Sequence, residues 1–424
     1  MTAEALSDAP VQPPPAPVVG ARFLGSEPVF WRLLSRGALL LFATLGIYRF
    51  WLATDVRRFL WNNTEIAGEG LEYIGTAREL LLGFLIAVAL LVPLNVAFFL
   101  AAFSSGTLGQ VAGTLAFAVL AALGQFAVYR ARRYRLSRTV YRGIRFHQTG
   151  SAVRYAICAI FWWGMIAATL GLAYPFAQAS LERYKLRNTF YGDLQGQFDG
   201  WGTRLLFRGF LLWLVVVGPF VFGLIVAVGA IDWTALGEAL SAGGSDVASR
   251  IEAAGVGPAL VVAVLAVSWS VLAAALLYPA FQAMLLHWWI SGLRFGELTA
   301  TSGLRMREIY RLYAGFVSYA LLAALVFGVG SIIGLVIIGA FESMFGKGIA
   351  TELLTTAMLI GTYVIVALAY STIYQATVKV RFWKHAFDTL ELSGTEVLER
   401  VKAAPTTGSP VGEGLADALN VGGI

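Results

Sequence analysis

Charge is scarce in this chain. Asp, Glu, Lys and Arg make up 13% of its 424 residues, against about 25% in an ordinary soluble domain, so most of the surface is not built to face water. Cysteine is nearly absent: Cys158 is the only one, which excludes an intramolecular disulfide and leaves no thiolate cluster for a metal. Its apolar neighbours point to a buried thiol. The three histidines, His147, His287 and His385, have no ligand partner three or four residues away, and no HExxH, GxSxG or phosphate-loop pattern occurs. No apolar run contains a clear Asp, Glu or Lys that would couple to protons or sodium. These absences argue against the familiar hydrolase, metalloenzyme and nucleotide-binding classes; no enzyme, no cofactor and no metal site is expected.

What is present is apolar. Hydrophobic residues form 58% of the chain and the mean hydropathy is +0.72. A helix needs about 20 apolar residues to cross a bilayer, and runs of that kind cover roughly 80–103, 111–128, 205–231, 258–286, 313–341 and 353–378. Two further stretches, 33–53 and 153–178, contain the related phrases "TLGIYRFW" and "TLGLAYPF". The expected fold is an all-α, polytopic transmembrane bundle. The net charge of +6 and pI near 9.4 fit loops beside anionic lipid better than a nucleic-acid partner.

The chain aligns with itself at an offset of 125 residues without a gap. Arg58 meets Arg183, Asn63-Thr64 meets Asn188-Thr189, and Gly75 meets Gly200, which reads as an internal duplication. A shorter phrase recurs as "RFLWNNT" (58–64), "RYRLSRT" (133–139) and "RYKLRNT" (183–189), each followed by a glycine, Gly68, Gly143 or Gly192. "YPFAQASLERY" (174–184) returns as "YPAFQAMLLHW" (278–288), and "YQATVKVRFWKH" (374–385) is a weaker echo. Each is an aromatic and basic exit from an apolar segment. The threonines mark helix ends entering a turn, or Arg58, Arg133, Arg183, Thr64, Thr139, Thr189 and His287 contact phosphate or lipid headgroups.

Residues 129–154 hold eight arginines and no acid, whereas 232–257 holds four acids and Arg250 alone. The positive-inside rule puts the basic exits and both termini in the cytoplasm and 232–257 outside. Only one apolar stretch, 153–178, separates the second basic exit from the third. Six full spans plus two short or re-entrant TLG segments satisfy that parity; eight plain spans are the alternative. The segmentation follows: a Pro-rich disordered tail at 1–21, a membrane repeat at 22–145, a second at 146–300, a helical pair with a cytoplasmic exit at 301–402, and a loose tail at 403–424.

"FLGSEPVFWRLLSRGALLLFATLGIYRFW", "RRFLWNNTEIAGEGLEYIGTARELLLGFLIA" and "TLGLAYPFAQASLERYKLRNTFYGDLQGQF" closely resemble the conserved blocks of the YjgN-like bacterial inner-membrane proteins (domain of unknown function 898). The likeness spans about 22–390. It implies a multi-pass protein of the bacterial inner membrane, with no activity and no catalytic residue defined by the family.

Function is approached from the polar residues in apolar segments. Gln178 and Gln282 each follow a Tyr-Pro pair, at Tyr174 and Tyr278; Gln375 and Asn95 add neutral polarity elsewhere. These residues either pack helices through hydrogen bonds or line a cavity between repeats for transport or lipid handling. The other reading is a membrane scaffold whose basic cytoplasmic loops bind anionic lipid or a partner.

Overall fold

The structure, a computed structural model, describes residues 18–102, 107–242, 247–346 and 348–403. Most of the tail assigned to 1–21, and the end of the chain beyond 403, lie outside the described residues.

The helices alternate with very short strands. After β1 (Val19–Phe23) come α1 (Glu27–Ala43), α2 (Arg49–Asn62), β2 (Thr64–Ile66) and β3 (Glu69–Tyr73); then α3 (Ala77–Ala102), α4 (Thr107–Ser137), β4 (Thr139–Tyr141) and β5 (Ile144–Gln148). Next are α5 (Ala152–Ala168), α6 (Tyr174–Arg187), β6 (Thr189–Tyr191), β7 (Leu194–Phe198), α7 (Gly202–Gly229), α8 (Trp233–Ala242) and α9 (Val247–Ala253). The chain ends with α10 (Val256–Gly292), β8 (Leu293–Phe295), β9 (Leu298–Ser302), α11 (Met306–Phe345), α12 (Ile349–Tyr374), a π-helical turn at Gln375–Lys379, α13 (Val380–Asp388) and β10 (Leu390–Ser393).

The all-α expectation is overturned. The ten strands close into one antiparallel barrel in the order β1-β10-β9-β8-β7-β6-β5-β4-β3-β2. Four tight hairpins supply eight of the strands. The pairs Ile66 with Glu69 and Tyr141 with Ile144 enclose two-residue turns whose residues, Ala67-Gly68 and Arg142-Gly143, all have positive φ, as a type I′ turn requires. Gly192 and Gly296 take the first turn position in the other two. The fifth pair comes from the two ends of the chain, Val19 opposite Leu392. Closure leaves the ring no unpaired edge.

Alternation of antiparallel partners places the tight turns at one end of the ring and every helix at the other. Each helical excursion therefore returns beside the strand it left, as when β1 pairs with β2 through Ala21 and Ile66 across α1 and α2. Among the described residues six helices are long and apolar enough to cross a membrane: Ala77–Ala102, Gly113–Ser137, Gly202–Gly229, Val256–Gly292, Met306–Met344 and Thr351–Asp388. Their flanks carry exposed side chains such as Phe207, Leu211, Leu321 and Leu325, a surface suited to lipid rather than water. The protein is a membrane protein.

The TLG phrases form the corners of two shorter helical hairpins, α1–α2 and α5–α6. The Thr169 hydroxyl donates to the Met165 carbonyl (2.7 Å) and accepts from the Ala173 N–H (3.0 Å); Thr44 does the same with Leu40 and Tyr48. Leu170 and Gly171 turn through φ of 49° and 96°, and Leu45 and Gly46 through 49° and 90°. Trp213, near the middle of α7, donates its indole N–H to the Leu170 carbonyl at 2.8 Å. The corner thus stops part-way up a spanning helix, with one of its freed carbonyls satisfied by protein, as broken backbone at membrane depth demands. Cys158 on α5 is exposed, not buried as its neighbours suggested, because that face of the short hairpin lies on the outside.

The barrel is filled by side chains. Leu71, Tyr141 and Tyr191 pack together with Leu398, flanked by Ile66, Ile144, Phe146, Phe295, Val397 and Val401. Leu398 belongs to a 3₁₀ turn, Thr395–Glu399, that follows β10. The chain is pinned there by Asp193, whose carboxylate accepts from the Lys402 N–H (2.9 Å) and whose N–H donates to the Lys402 carbonyl (3.1 Å). The described chain through Lys402 therefore packs against the turn end of the barrel.

Candidate functional site

The five helices that lead back to the barrel, α2, α4, α6, α10 and α13, form an inner ring. Trp61 on α2 donates to the Thr139 hydroxyl (3.0 Å) and stacks at 5.1 Å on Trp383 of α13, which donates to the Thr64 hydroxyl (3.0 Å). Tyr129 on α4 meets Tyr184 on α6 at 5.7 Å, Tyr174 on α6 meets Phe281 on α10 at 5.7 Å, and Ala283 on α10 shares a cluster with Phe382 on α13.

The recurring exit phrase explains how each helix meets the ring. The buried hydroxyls of Thr64, Thr139 and Thr189 donate to the carbonyls of Leu60 (2.7 Å), Arg135 (2.9 Å) and Lys185 (2.7 Å), and Thr389 repeats the contact with His385 (2.6 Å). Asn63 and Asn188 do likewise with Phe59 and Tyr184. Arg58 donates to the Gly75 carbonyl (3.0 Å), Arg183 to Gly200 (3.1 Å), and His287 takes the equivalent place against Leu304 (2.5 Å). Each of these three reaches the loop that starts the next helix, 17 residues on. Arg133 lies within electrostatic reach of His147 and Tyr129. Arg58, Arg183, His287, Thr64, Thr139 and Thr189, all considered for headgroup contact, each have a backbone partner inside the fold.

Above this collar the structure gathers four of the polar residues singled out in the sequence. Gln282 donates to the Tyr278 hydroxyl (2.7 Å) and accepts from the Tyr313 hydroxyl (2.9 Å), while Tyr278 and Tyr313 meet edge to face at 5.8 Å. Gln178 lies within hydrogen-bonding reach of Tyr174, and Tyr174 within electrostatic reach of Tyr278. Tyr374 stands beside Tyr313 and packs on Phe316 at 5.5 Å. Gln375 and Asn95 are not part of this network: Gln375 donates to Ser371 (3.3 Å) and Asn95 to the Leu91 carbonyl (2.8 Å), each on its own helix.

Between the Tyr/Gln network and the collar lies a charged layer that the sequence reading did not assemble. Glu182 and Lys185 form an ion pair inside α6, and Trp289 of α10 donates to Glu182 at 3.1 Å. Burial works against the charge of Glu182, yet Lys185 and Arg132 beside it hold its carboxyl below the usual carboxylate range. Burial also pushes the Lys185 ammonium down; Glu182 opposes that, while Arg132 and Arg135 reinforce it. Arg57 and Arg135 also lie within electrostatic reach of Lys379, on the π-helical turn. Glu182, Lys185 and Lys379 stand just past the ends of the apolar runs 153–178 and 353–378, where α6 and the π turn continue. The missed signal was positional: Arg57, Arg132 and Glu182 stand seven residues before the exit threonine, and Arg135 and Lys185 four. Those two offsets share one helix face.

The eight-arginine segment is not a loop. Arg130, Arg132, Arg133 and Arg135 continue α4, the Nε atoms of Arg130 and Arg132 are buried, and Arg138 pairs with Glu79 at 2.8 Å. Among the described residues no three His, Cys, Asp or Glu side chains stand together as metal ligands.

A family model described as a bacterial protein of unknown function, DUF898, matches residues 19–418. The chain belongs to this family. The match begins at the first residue of β1 and runs past the 3₁₀ turn at the barrel, so it takes in all ten strands. No curated protein and no solved structure matches the chain; the family itself carries no activity to transfer.

Proposed function

We propose that the protein handles a lipid or lipid-like amphiphile within the inner ring, in the bacterial inner membrane, with the barrel and both termini on the cytoplasmic side. The reading rests on the meeting of Tyr174, Gln178, Tyr278, Gln282 and Tyr313 from three helices on one level of an otherwise apolar bundle. Polar side chains at that depth serve packing or a pathway. Here they stand directly above a charged layer and inside a ring of helices, which favours the pathway. The basic residues at the barrel end, and Asp232, Glu238 and Glu252 at the other, support this orientation.

The test is leaflet exchange of a fluorescent phosphatidylglycerol in proteoliposomes, read by quenching from outside. Wild-type protein should expose inner-leaflet label to the quencher. Gln178→Leu combined with Gln282→Leu should abolish that exchange while the protein still elutes as a folded species. Wild-type protein that exchanges no lipid faster than empty vesicles would sink the reading. The scaffold alternative draws less support, since the arginines it would use on α4 are half-buried and in part paired.

A further inference from the structure

We propose that the corner between α5 and α6 is the sill of a lateral port: above it the helical wall is open to the leaflet remote from the barrel, and an acyl chain of a lipid in that leaflet enters there and reaches the Tyr/Gln network. The port rests on the lipid-handling reading for its use, and adds to it the leaflet from which the amphiphile comes.

The height of the wall comes first. α5 has 17 residues and α6 has 14, whereas their neighbours α4 and α7 have 31 and 28. Tyr155, near the start of α5, lies 5.1 Å from Tyr129 of α4. From that level α5 rises about 20 Å to Ala168 and α4 about 33 Å to Thr107, at about 1.5 Å per residue. On the other side Trp213 holds the Leu170 carbonyl, and α7 continues about 24 Å beyond Trp213 to Gly229. The wall is therefore lower at the corner by about 13 to 24 Å, against about 15 Å for the hydrocarbon of one leaflet. Among the described residues α4 and α7 do not pack along one another.

The lining comes next. Val217, Phe220 and Leu224 continue the Trp213 face of α7 above the sill, and Leu224 is 47% exposed. α7 is covered on another side, where the carbonyls of Val215 and Val216 accept from Trp269 (3.1 Å) and Ser270 (2.9 Å) of α10 and Gly223 closes on Ala266. The face above the sill is wholly apolar, so it takes hydrocarbon rather than water or a charged ligand. Behind the sill stands the network. Tyr174 begins α6 four residues after Leu170 and meets Phe281 of α10 at 5.7 Å. Gln282, next to Phe281, donates to the Tyr278 hydroxyl at 2.7 Å. Tyr278 is still 46% exposed, so packing does not seal the network. The first repeat copies the sill: Leu45, at the α1–α2 corner, is 94% exposed, and among the described residues no atom stands within 4 Å of a Cβ placed on Gly46.

The test is photolabelling of the full-length protein in nanodiscs doped with a phosphatidylcholine that carries a diazirine near the end of one acyl chain, with labelled positions read by peptide mass spectrometry. Wild-type protein should be labelled at Tyr174 or Gln178 as well as at outward side chains such as Leu211 and Leu321. Leu224→Trp, which fills the slot, should cut labelling at Tyr174 and Gln178 by about fivefold or more, the scale of an overpacked site. Phe207→Trp, at an exposed position on the barrel side of Trp213, should leave it unchanged. Val228→Trp, one turn beyond Leu224, is the second filler should Leu224→Trp fail to fold.

Label confined to outward side chains overturns the port, as do fillers that leave the inner label at its wild-type level. A loss caused by Phe207→Trp and not by Leu224→Trp puts the entry in the leaflet beside the barrel and overturns it too. Leu224→Cys in a Cys158→Ala background covers the remaining occupant: disulfide-linked dimers on mild oxidation would place a second copy of the chain in the slot instead of a lipid. Label at Tyr174 or Gln178 without leaflet exchange of the fluorescent lipid keeps the port and removes the handling reading; exchange without that label does the reverse.

Discussion

Thr189 and Thr64 look interchangeable in the sequence, but they carry different loads. Thr189 makes one hydroxyl contact, to the Lys185 carbonyl. Thr64 makes two, donating to Leu60 and accepting from Trp383. Thr189→Val should therefore lower stability by about 1 kcal/mol, and Thr64→Val by more because a part-buried indole N–H is left unmet. Thermal unfolding in detergent orders the two variants, and equal losses would show that the tryptophan contact is idle. His147 offers a pH handle outside the membrane. It stacks on Phe190 at 5.1 Å, and burial, with Arg133 nearby, lowers its pKa from the ordinary histidine value. A lowered pKa means the fold prefers neutral His147. Its contribution is intact above the unfolded-state value of about 6.5 and is lost as pH falls through the depressed folded value. His147→Phe should unfold with a smaller drop in midpoint between pH 8 and pH 5 than wild type, both pH values being about 1.5 units from that reference.

At the scale of elements, the helical hairpins were more legible than the strands. The TLG phrase permitted a reversal because its glycine follows a helix-length apolar run, and parity of the basic exits was met by one, with eight plain spans as the alternative. Gly171, at φ 96°, is the position where a Cβ is strained whatever space surrounds it. Gly171→Ala should cost about 1 kcal/mol, while Gly164→Ala, inside α5 with open space around its Cα, should be neutral or stabilising. Denaturation midpoints would decide, and similar effects at both sites would show that the corner tolerates a side chain. The strands escaped notice for a physical reason. β2, β4, β6 and β8 are three residues long, too short for a period-two pattern to appear against the helices that run into them. The "NNT" and "RNT" phrases were correctly seen as helix ends, yet nothing local distinguishes a turn from a strand whose second partner lies 41 to 45 residues upstream.

For the whole molecule, the consequence of that partnering is closure. Ten weakly patterned strands become one barrel because β1 and β10, from opposite ends of the chain, complete it. The closing segment then packs Leu398 onto Leu71, Tyr141 and Tyr191. Leu398→Ala should destabilise the barrel by about 2 kcal/mol or more through the cavity it leaves, and limited proteolysis should cleave the barrel turns of that variant sooner than those of wild type. Unchanged protection would mean that the 3₁₀ turn rests on the barrel without supporting it.

The membrane class, the six long apolar helices and the recurrence of the exits were fixed by composition and local order, since bilayer thickness and hydropathy act residue by residue. Family membership was legible in the same blocks. The barrel, the inner ring and the meeting of Lys379 with Arg57 and Arg135 were decided only in three dimensions. Each joins residues far apart in the chain through backbone pairing or shared charge, and neither leaves a periodic trace in sequence.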